Sequence, residues 1–301
     1  MTVYDRSKEN PAGARTNRAA LIGIGSMGHG HAKSHGTDAD QGGPAEAAEG
    51  ADVVVSVVVN AAQTEAILFG TNGVAETMAE GAVFVSSATI DPDAVRRLAT
   101  PLEATGRLYL DAPISGGSVR AAEGALTILA SGSPAAFARA RPALDAIAAN
   151  VYELGDEPGV GAAFKMINQL LAGVHIAAAS EAIAFAARQG LDIRKVYEVI
   201  TASAGNSWMF ENRVPHVLDG DYTPRSAVDI FVKDLGIIQD MARSAKFPVP
   251  VAAAALQMFL ATSAAGMGRD DDASVARLYA KITGTELPTT RKPSQTGLTS
   301  A

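Results

Sequence analysis

Residues 20–59 read ALIGIGSMGHGHAKSHGTDADQGGPAEAAEGADVVVSVVV, a glycine-rich stretch between two apolar runs. Gly23, Gly25 and Gly28 form G-x-G-x-x-G directly after an apolar run, where a phosphate-binding turn sits between a strand and a helix. Glycines there permit a tight turn and close backbone approach to a pyrophosphate, and the N–H groups opening the next helix face its negative charge. The turn as a whole (Gly23, Ile24, Gly25, Ser26, Met27 and Gly28) is the candidate cofactor cradle. The plainer alternative is an ordinary strand-to-helix turn.

The unit then runs short. A dinucleotide-binding domain needs a helix and a second strand after the turn, the strand ending in an acid that binds the adenosine ribose. Only Asp38 and Asp40, in GTDAD, are available as that acid, and no apolar strand precedes them. The second strand region is missing between 33 and 43: HAKSH and DADQGG read as segment ends joined without their middle. Either the domain is truncated here or the sequence omits residues. With Asp38 as the ribose acid, NAD is expected rather than NADP, because a carboxylate repels a 2′-phosphate.

Downstream, DVVVSVVVN (52–60), AVFVSSAT (82–89), LYLDAPIS (108–115) and LTILASG (126–132) are short apolar strands alternating with helical stretches at 91–105 and 133–149. Continuous β-branched runs suit strands covered on both faces. The expected fold is therefore α/β: an N-terminal Rossmann-type doubly wound sheet over 18–158, followed from 159 to 287 by an all-α domain. Residues 162–189, 192–204, 226–246 and 249–265 carry helical patterns and strand patterns cease; 1–17 and 288–301 read as disordered tails. Ligands of open α/β sheets collect at strand ends, which puts Val59, Asn60 and Thr89 at the cofactor edge, Thr89 being equally a helix-cap neighbour.

Composition narrows the function. The net charge of -7 disfavours nucleic acid or an anionic membrane as partner, while leaving room for a small anionic substrate in a locally basic site. The chain has no cysteine, so thiolate chemistry and disulfides are out, and a cytoplasmic location fits. Five scattered histidines offer no ligand spacing, and no metal is expected. Runs such as VVVSVVV are too short to span a bilayer.

Within the apolar helical segment GVGAAFKMINQLLAGVHIAAASEA, Lys165, Asn168 and Gln169 stand at i, i+3 and i+4 and share a face. A lysine there either snorkels to water or occupies a polar cavity, where a desolvated ammonium serves acid–base chemistry. A second polar spot is DAPISGG (111–117), where Ser115, Gly116 and Gly117 offer a hydroxyl and approachable backbone N–H groups to a carboxylate. In NSWMFENR, Asn206 or Ser207 is a candidate contact for additional substrate hydroxyls.

Taken together, GIGSMG, SSATIDP, DAPISGGSVRAAEGALTILASG, GVGAAFKMINQ and FVKDLG resemble the β-hydroxyacid dehydrogenases, the family of 3-hydroxyisobutyrate dehydrogenase and tartronate semialdehyde reductase. The resemblance covers nearly all of the chain between the tails. It implies an NAD-dependent oxidation of a small hydroxy acid, with Lys165 as the catalytic lysine, Ser115, Gly116 and Gly117 as the carboxylate loop, and Asn168 beside them. Gln169 stands where the family often has asparagine, which leaves open which of the two reaches substrate. The resemblance also implies that Thr89 lies near the nicotinamide and Lys233 reaches the cofactor. VVNAAQTEAILFG and AGNSWMFENRVPHVLDG look most like members acting on a four-carbon sugar acid, L-threonate first. A homodimer or homotetramer is implied as well. The alternatives are tartronate semialdehyde or 3-hydroxyisobutyrate-type substrates, or a non-catalytic dinucleotide-binding protein.

Overall fold

The structure, a computed structural model, describes residues 2–5, 18–23 and 43–289. Ile24, Gly25, Ser26, Met27, Gly28 and Asp38 lie outside the described residues, as does the stretch from 33 to 42. The chain divides into two compact units, Met1–Asn168 and Gln169–Ala301.

The first unit is built on a sheet in the order β1 (Thr2–Asp5), β2 (Arg18–Ile22), β3 (Val53–Ser56), β4 (Val83–Ser86) and β5 (Leu108–Asp111). Strands β2 to β5 are parallel. Residues 2–5, expected within a tail, instead pair antiparallel with β2 at the sheet edge. Helices α1 (Pro44–Ala48), α2 (Ala61–Phe69) and α3 (Pro92–Glu103) follow β2, β3 and β4 in chain order. The valine-rich strands are buried because both faces are covered. Val54 and Phe84 pack in one cluster with Leu68, Val95, Leu98 and Leu102. Val53, Val55, Val83 and Val85 pack in another with Phe137 and Leu144 of α5 (Pro134–Ile147). Fully burying one such aliphatic side chain contributes about 1.5–3 kcal/mol.

The strand series does not stay in one sheet. β6 (Ile114–Ser115), β7 (Leu126–Ala130) and β8 (Ala148–Glu153) form a separate three-stranded sheet, with α4 (Gly117–Ala122) between β6 and β7. The segment LYLDAPIS is therefore two strands. Pro113 has no N–H to offer a ladder, so β5 stops at Asp111 and pairing resumes at Ile114 with a new partner. A bridge between Asp111 and Ser131 ties the two sheets together. β8 falls partly where helix was expected, at 148–149: α5 ends at Ile147 and the backbone turns extended at Ala148.

Helix α6 (Val160–Arg188) starts in the first unit and continues into the second. The second unit then holds α7 (Ile193–Thr201), α8 (Trp208–Asp219), α9 (Val228–Ser244), α10 (Pro250–Thr262) and α11 (Val275–Thr283). Ala179 and Ile183 pack with Phe210, Val214, Val217 and Leu218, and Phe231 stacks on Phe259 at 5.1 Å. By length and composition α6 and Pro250–Met267 are apolar enough to cross a membrane. In α6 much of that apolar content is buried core, as for Ile176 and Ile183.

Candidate active site

The best-defined polar constellation lies at the start of α6. Gly159 precedes the helix with φ +100°, and the first turn lies hard against β5 and β7. At Gly161 a methyl carbon would lie well inside 3.0 Å of the Leu129 carbonyl oxygen and 3.2 Å from Asp111 Oδ2. Only glycine allows that approach. The free N–H groups of the turn are taken up across the chain: Asp111 Oδ2 accepts from Gly159 N at 3.0 Å and Ala162 N at 2.7 Å. Ser131 Oγ accepts from Gly161 N at 2.9 Å and lies 3.4 Å from Asp111 Oδ2. A helix N-terminus needs such acceptors, and here they come from distant strands instead of a neighbouring cap residue.

One turn further on, Lys165 is buried and its Nζ donates to the Ile114 carbonyl oxygen at 2.7 Å. It does not snorkel. Its Nζ sits at the peptide that leads into Ser115, so the lysine and the Ser115–Gly116–Gly117 segment, read separately from sequence, meet. Ser115 is half-buried at the end of β6, paired with Thr127. Gly116 has φ +132° and Gly117 φ +75°, conformations that favour glycine. At Gly116 a side chain would also press on Arg120 Cβ and Cδ at 3.0 Å. Asn168 lies on the same helical face as Lys165 and is exposed.

At the sheet's C-terminal edge, Gly23 closes β2 with φ +104°, and any Cβ there would run into the Val57 carbonyl oxygen. The opening glycine of the turn is thus required by both its dihedral and its contact with the chain after β3, as a backbone cradle for a pyrophosphate demands. Val59 is exposed just beyond β3. Asn60 caps α2, its Oδ1 accepting from Gln63 N at 2.9 Å while Gln63 Oε1 accepts from Val59 N at 2.9 Å. Thr89 is half-buried after β4. The cap of α3 is Asp91, which accepts from Asp93 N and Ala94 N, and not Thr89.

In the second unit, Gln169 Nε2 donates to Asp234 Oδ2 at 2.5 Å and Lys233 Nζ lies 2.7 Å from Asp234 Oδ1. The amide nitrogen of Gln169 is therefore engaged with a buried carboxylate. Asn206 Nδ2 donates to Thr201 O at 3.1 Å and Glu211 Oε1 at 2.5 Å, bracing the turn between α7 and α8, where Ser207 caps α8. Its Oδ1 is buried without a hydrogen-bond partner.

Two acids escaped the sequence reading. Asp111 is buried, and its carboxyl is pushed up to about 7, chiefly by burial, against the lowering pull of the Ala162 and Gly159 N–H groups, Ser131 and the Arg96 charge. Its signal was a carboxylate inside the apolar run LYLDAP. Asp234 falls in line with Phe231, Leu235 and Ile238, the buried stripe of α9, and is itself fully buried. An acid on a helix's apolar face was its signal. Among the described residues no cluster of His, Cys, Asp and Glu is arranged to hold a metal.

Residues 37–155 match the family model described as the NAD binding domain of 6-phosphogluconate dehydrogenase, and 159–279 that described as NAD-binding of NADP-dependent 3-hydroxyisobutyrate dehydrogenase. The chain is 51% identical to L-threonate dehydrogenase from Cupriavidus necator over 290 aligned residues, covering 89% of this chain and 97% of that protein. It is 46% identical to L-threonate dehydrogenase from Escherichia coli K12, over 87% and 95% of the two chains. A crystal structure of 3-hydroxyisobutyrate dehydrogenase from Salmonella typhimurium matches with a TM-score of 0.81 and 48% identity, over 86% of this chain and 99% of that one.

Proposed function

The chain belongs to the β-hydroxyacid dehydrogenase family typified by 3-hydroxyisobutyrate dehydrogenase, and on that footing we propose that it oxidises L-threonate at its 2-hydroxyl to 2-oxo-L-threonate with NAD. The observation that carries the reading is the buried Lys165 ammonium held 2.7 Å from the Ile114 carbonyl, at the threshold of the Ser115–Gly116–Gly117 loop. A carboxylate bound by the Ser115 hydroxyl and the loop's backbone N–H groups places the adjacent carbinol beside Lys165. NAD, when bound, supplies the hydride acceptor. Acting as the neutral amine, Lys165 takes the proton that the hydroxyl releases, and the ammonium so formed offsets negative charge on the carbinol oxygen. Because that side chain is buried and tethered, little reorientation is required at the moment of reaction. Gly23 and the rest of the glycine turn hold the pyrophosphate, and Val59, Asn60 and Thr89 line the cofactor edge. Asn168, on the helical face of Lys165, is the further substrate contact, and Gln169, Asn206 and Lys233 are the second unit's candidates for substrate and cofactor. NAD is preferred to NADP on account of Asp38.

The working form is a homodimer or homotetramer. Leu171, Ala178 and Phe185 leave α6 at seven-residue steps, and Leu171 and Phe185 are 49% and 63% exposed. An apolar seam with that spacing on a long helix suits pairing with a second copy. A cysteine-free dehydrogenase of this kind suits the cytoplasm.

The test is reduction of NAD⁺ and NADP⁺ with a panel of L-threonate, D-threonate, D-erythronate and 3-hydroxyisobutyrate, together with NADH oxidation by tartronate semialdehyde. The expected result is the highest kcat/KM for L-threonate with NAD⁺, and a fall of three or more orders of magnitude in Lys165→Ala with NAD binding intact. A higher kcat/KM for another acid overturns the substrate. Undiminished turnover in Lys165→Ala removes the lysine from the mechanism.

A further inference from the structure

We infer that Asp111 is a positioning residue for the reaction: by gripping the first turn of α6 it sets where Lys165 meets the Ile114–Ser115 peptide. The inference rests on the role given above to Lys165. Helix N-termini are ordinarily satisfied by a Ser, Thr, Asp or Asn immediately before the first turn, as Asp91, Ser133, Asp192 and Ser207 do in this chain. For α6 the acceptor is a buried carboxylate 48 and 51 residues away in sequence. Removing a carboxylate from water is costly, and a local cap would serve the helix alone just as well. What the distant cap adds is register. Asp111 ends β5 and Ile114 opens β6 three residues later, so one short stretch of backbone holds α6 twice. Asp111 holds Gly159 and Ala162, and Ile114 holds Lys165.

Ser131 completes the grip. Its Oγ accepts from Gly161 N, and its backbone exchanges both hydrogen bonds with Asp111, at 3.0 and 2.8 Å. The start of α6 is thus held at three free N–H donors, those of Gly159, Gly161 and Ala162, by two side chains that are themselves fixed to each other. A helix fixed in this way cannot rotate or slide without breaking bonds to a buried acceptor, and the lysine one turn along is fixed with it. The bonds carry the grip at any pH; only where the carboxyl is ionised, as pH rises past about 7, does it also place negative charge at the positive end of α6.

Asp111→Asn keeps an oxygen that accepts from Gly159 and Ala162 but removes the charge, and it puts an NH₂ where Oδ1 is buried without a hydrogen-bond partner. The closing experiment measures kcat, KM, NAD affinity and the solvent deuterium isotope effect for the parent, Asp111→Asn, Ser131→Ala and Lys165→Ala, each confirmed folded by circular dichroism. The expected result for Asp111→Asn is a fall in kcat of roughly 10- to 100-fold. KM for the acid and Kd for NAD stay within about threefold, and the solvent isotope effect rises because proton transfer to a displaced Lys165 becomes rate-limiting. Ser131→Ala shows the same pattern more weakly and carries the test should Asp111→Asn not fold. Unchanged kcat, or a loss that follows NAD affinity with no change in isotope effect, overturns the inference. If Lys165→Ala is fully active, the lysine's role and this inference fall together. If Lys165→Ala is inactive while Asp111→Asn and Ser131→Ala behave as the parent, only the inference falls.

Discussion

Replacing Gly161 by alanine sets two known effects against each other at one position. Gly161 is the second residue of α6, where alanine is favoured over glycine by at most the helix-interior value of about 0.5–1 kcal/mol. Helix propensity therefore forecasts a gain. Packing forecasts the opposite, because the new methyl would lie well under 3.0 Å from the Leu129 carbonyl oxygen and 3.2 Å from the Asp111 carbonyl and carboxylate oxygens. Backbone in a sheet cannot swing aside as a flexible side chain does, so the first turn of α6 has to lift. Overpacking of this kind costs about 1–3 kcal/mol. Lifting also stretches the bonds from Gly159 and Ala162 to a buried carboxylate, each worth roughly 1.5–3 kcal/mol when lost. The balance is a net destabilisation of about 2–4 kcal/mol, and hence a Tm lower by roughly 5–15 °C. Activity falls too, because Lys165 is four residues on and moves with the turn. The assay is thermal unfolding followed by circular dichroism, beside kcat on the folded protein. Gly236→Ala is the control: that glycine lies inside α9 with nothing within 4 Å of the added carbon, so it should gain the helix propensity alone. A Tm for Gly161→Ala equal to or above the parent's would refute the close seating of α6 on β7.

Three further outcomes are expected. Arg213 holds the fully buried Asp272 through bonds of 2.6 and 3.1 Å, so Arg213→Ala should cost about 3–5 kcal/mol in urea unfolding. A loss below 1 kcal/mol would mean that Asp272 does not depend on this arginine. Asp111 holds its proton up to about pH 7 in the folded protein against an ordinary 3.8, so its contribution favours folding at low pH and is lost as pH rises through that window. The stability of the parent relative to Asp111→Asn should therefore fall between pH 4 and 7, by at most roughly 4 kcal/mol. Parallel pH curves for the two proteins would contradict the shift. Leu171→Glu combined with Phe185→Glu places charge on the exposed seam of α6 and should yield monomers in sedimentation velocity. An unchanged sedimentation coefficient would move the oligomer contact elsewhere.

Much of this protein follows from its sequence. The valine runs need cover on both faces, the glycine turn ends a strand, and a lysine in an apolar helix has to find a partner. Each of these rests on local geometry or on the cost of burying a polar group, so each is legible from a few neighbouring residues. The cost of burial names the residue in need of a partner, however, and not the partner. That Lys165 finds the Ile114 carbonyl, that Asp111 caps α6, and that Gln169 is held by Asp234 depend on chain paths closing over 51, 51 and 65 residues. Competing acceptors were equally available by composition. Asn60 shows the same division, since its position at a strand end was visible while its side chain's use as a helix cap required the Gln63 geometry. The separation of β6, β7 and β8 into a second sheet was likewise decided in three dimensions. Pro113 interrupts the ladder locally, but only the packed strands determine which edge Ile114 joins.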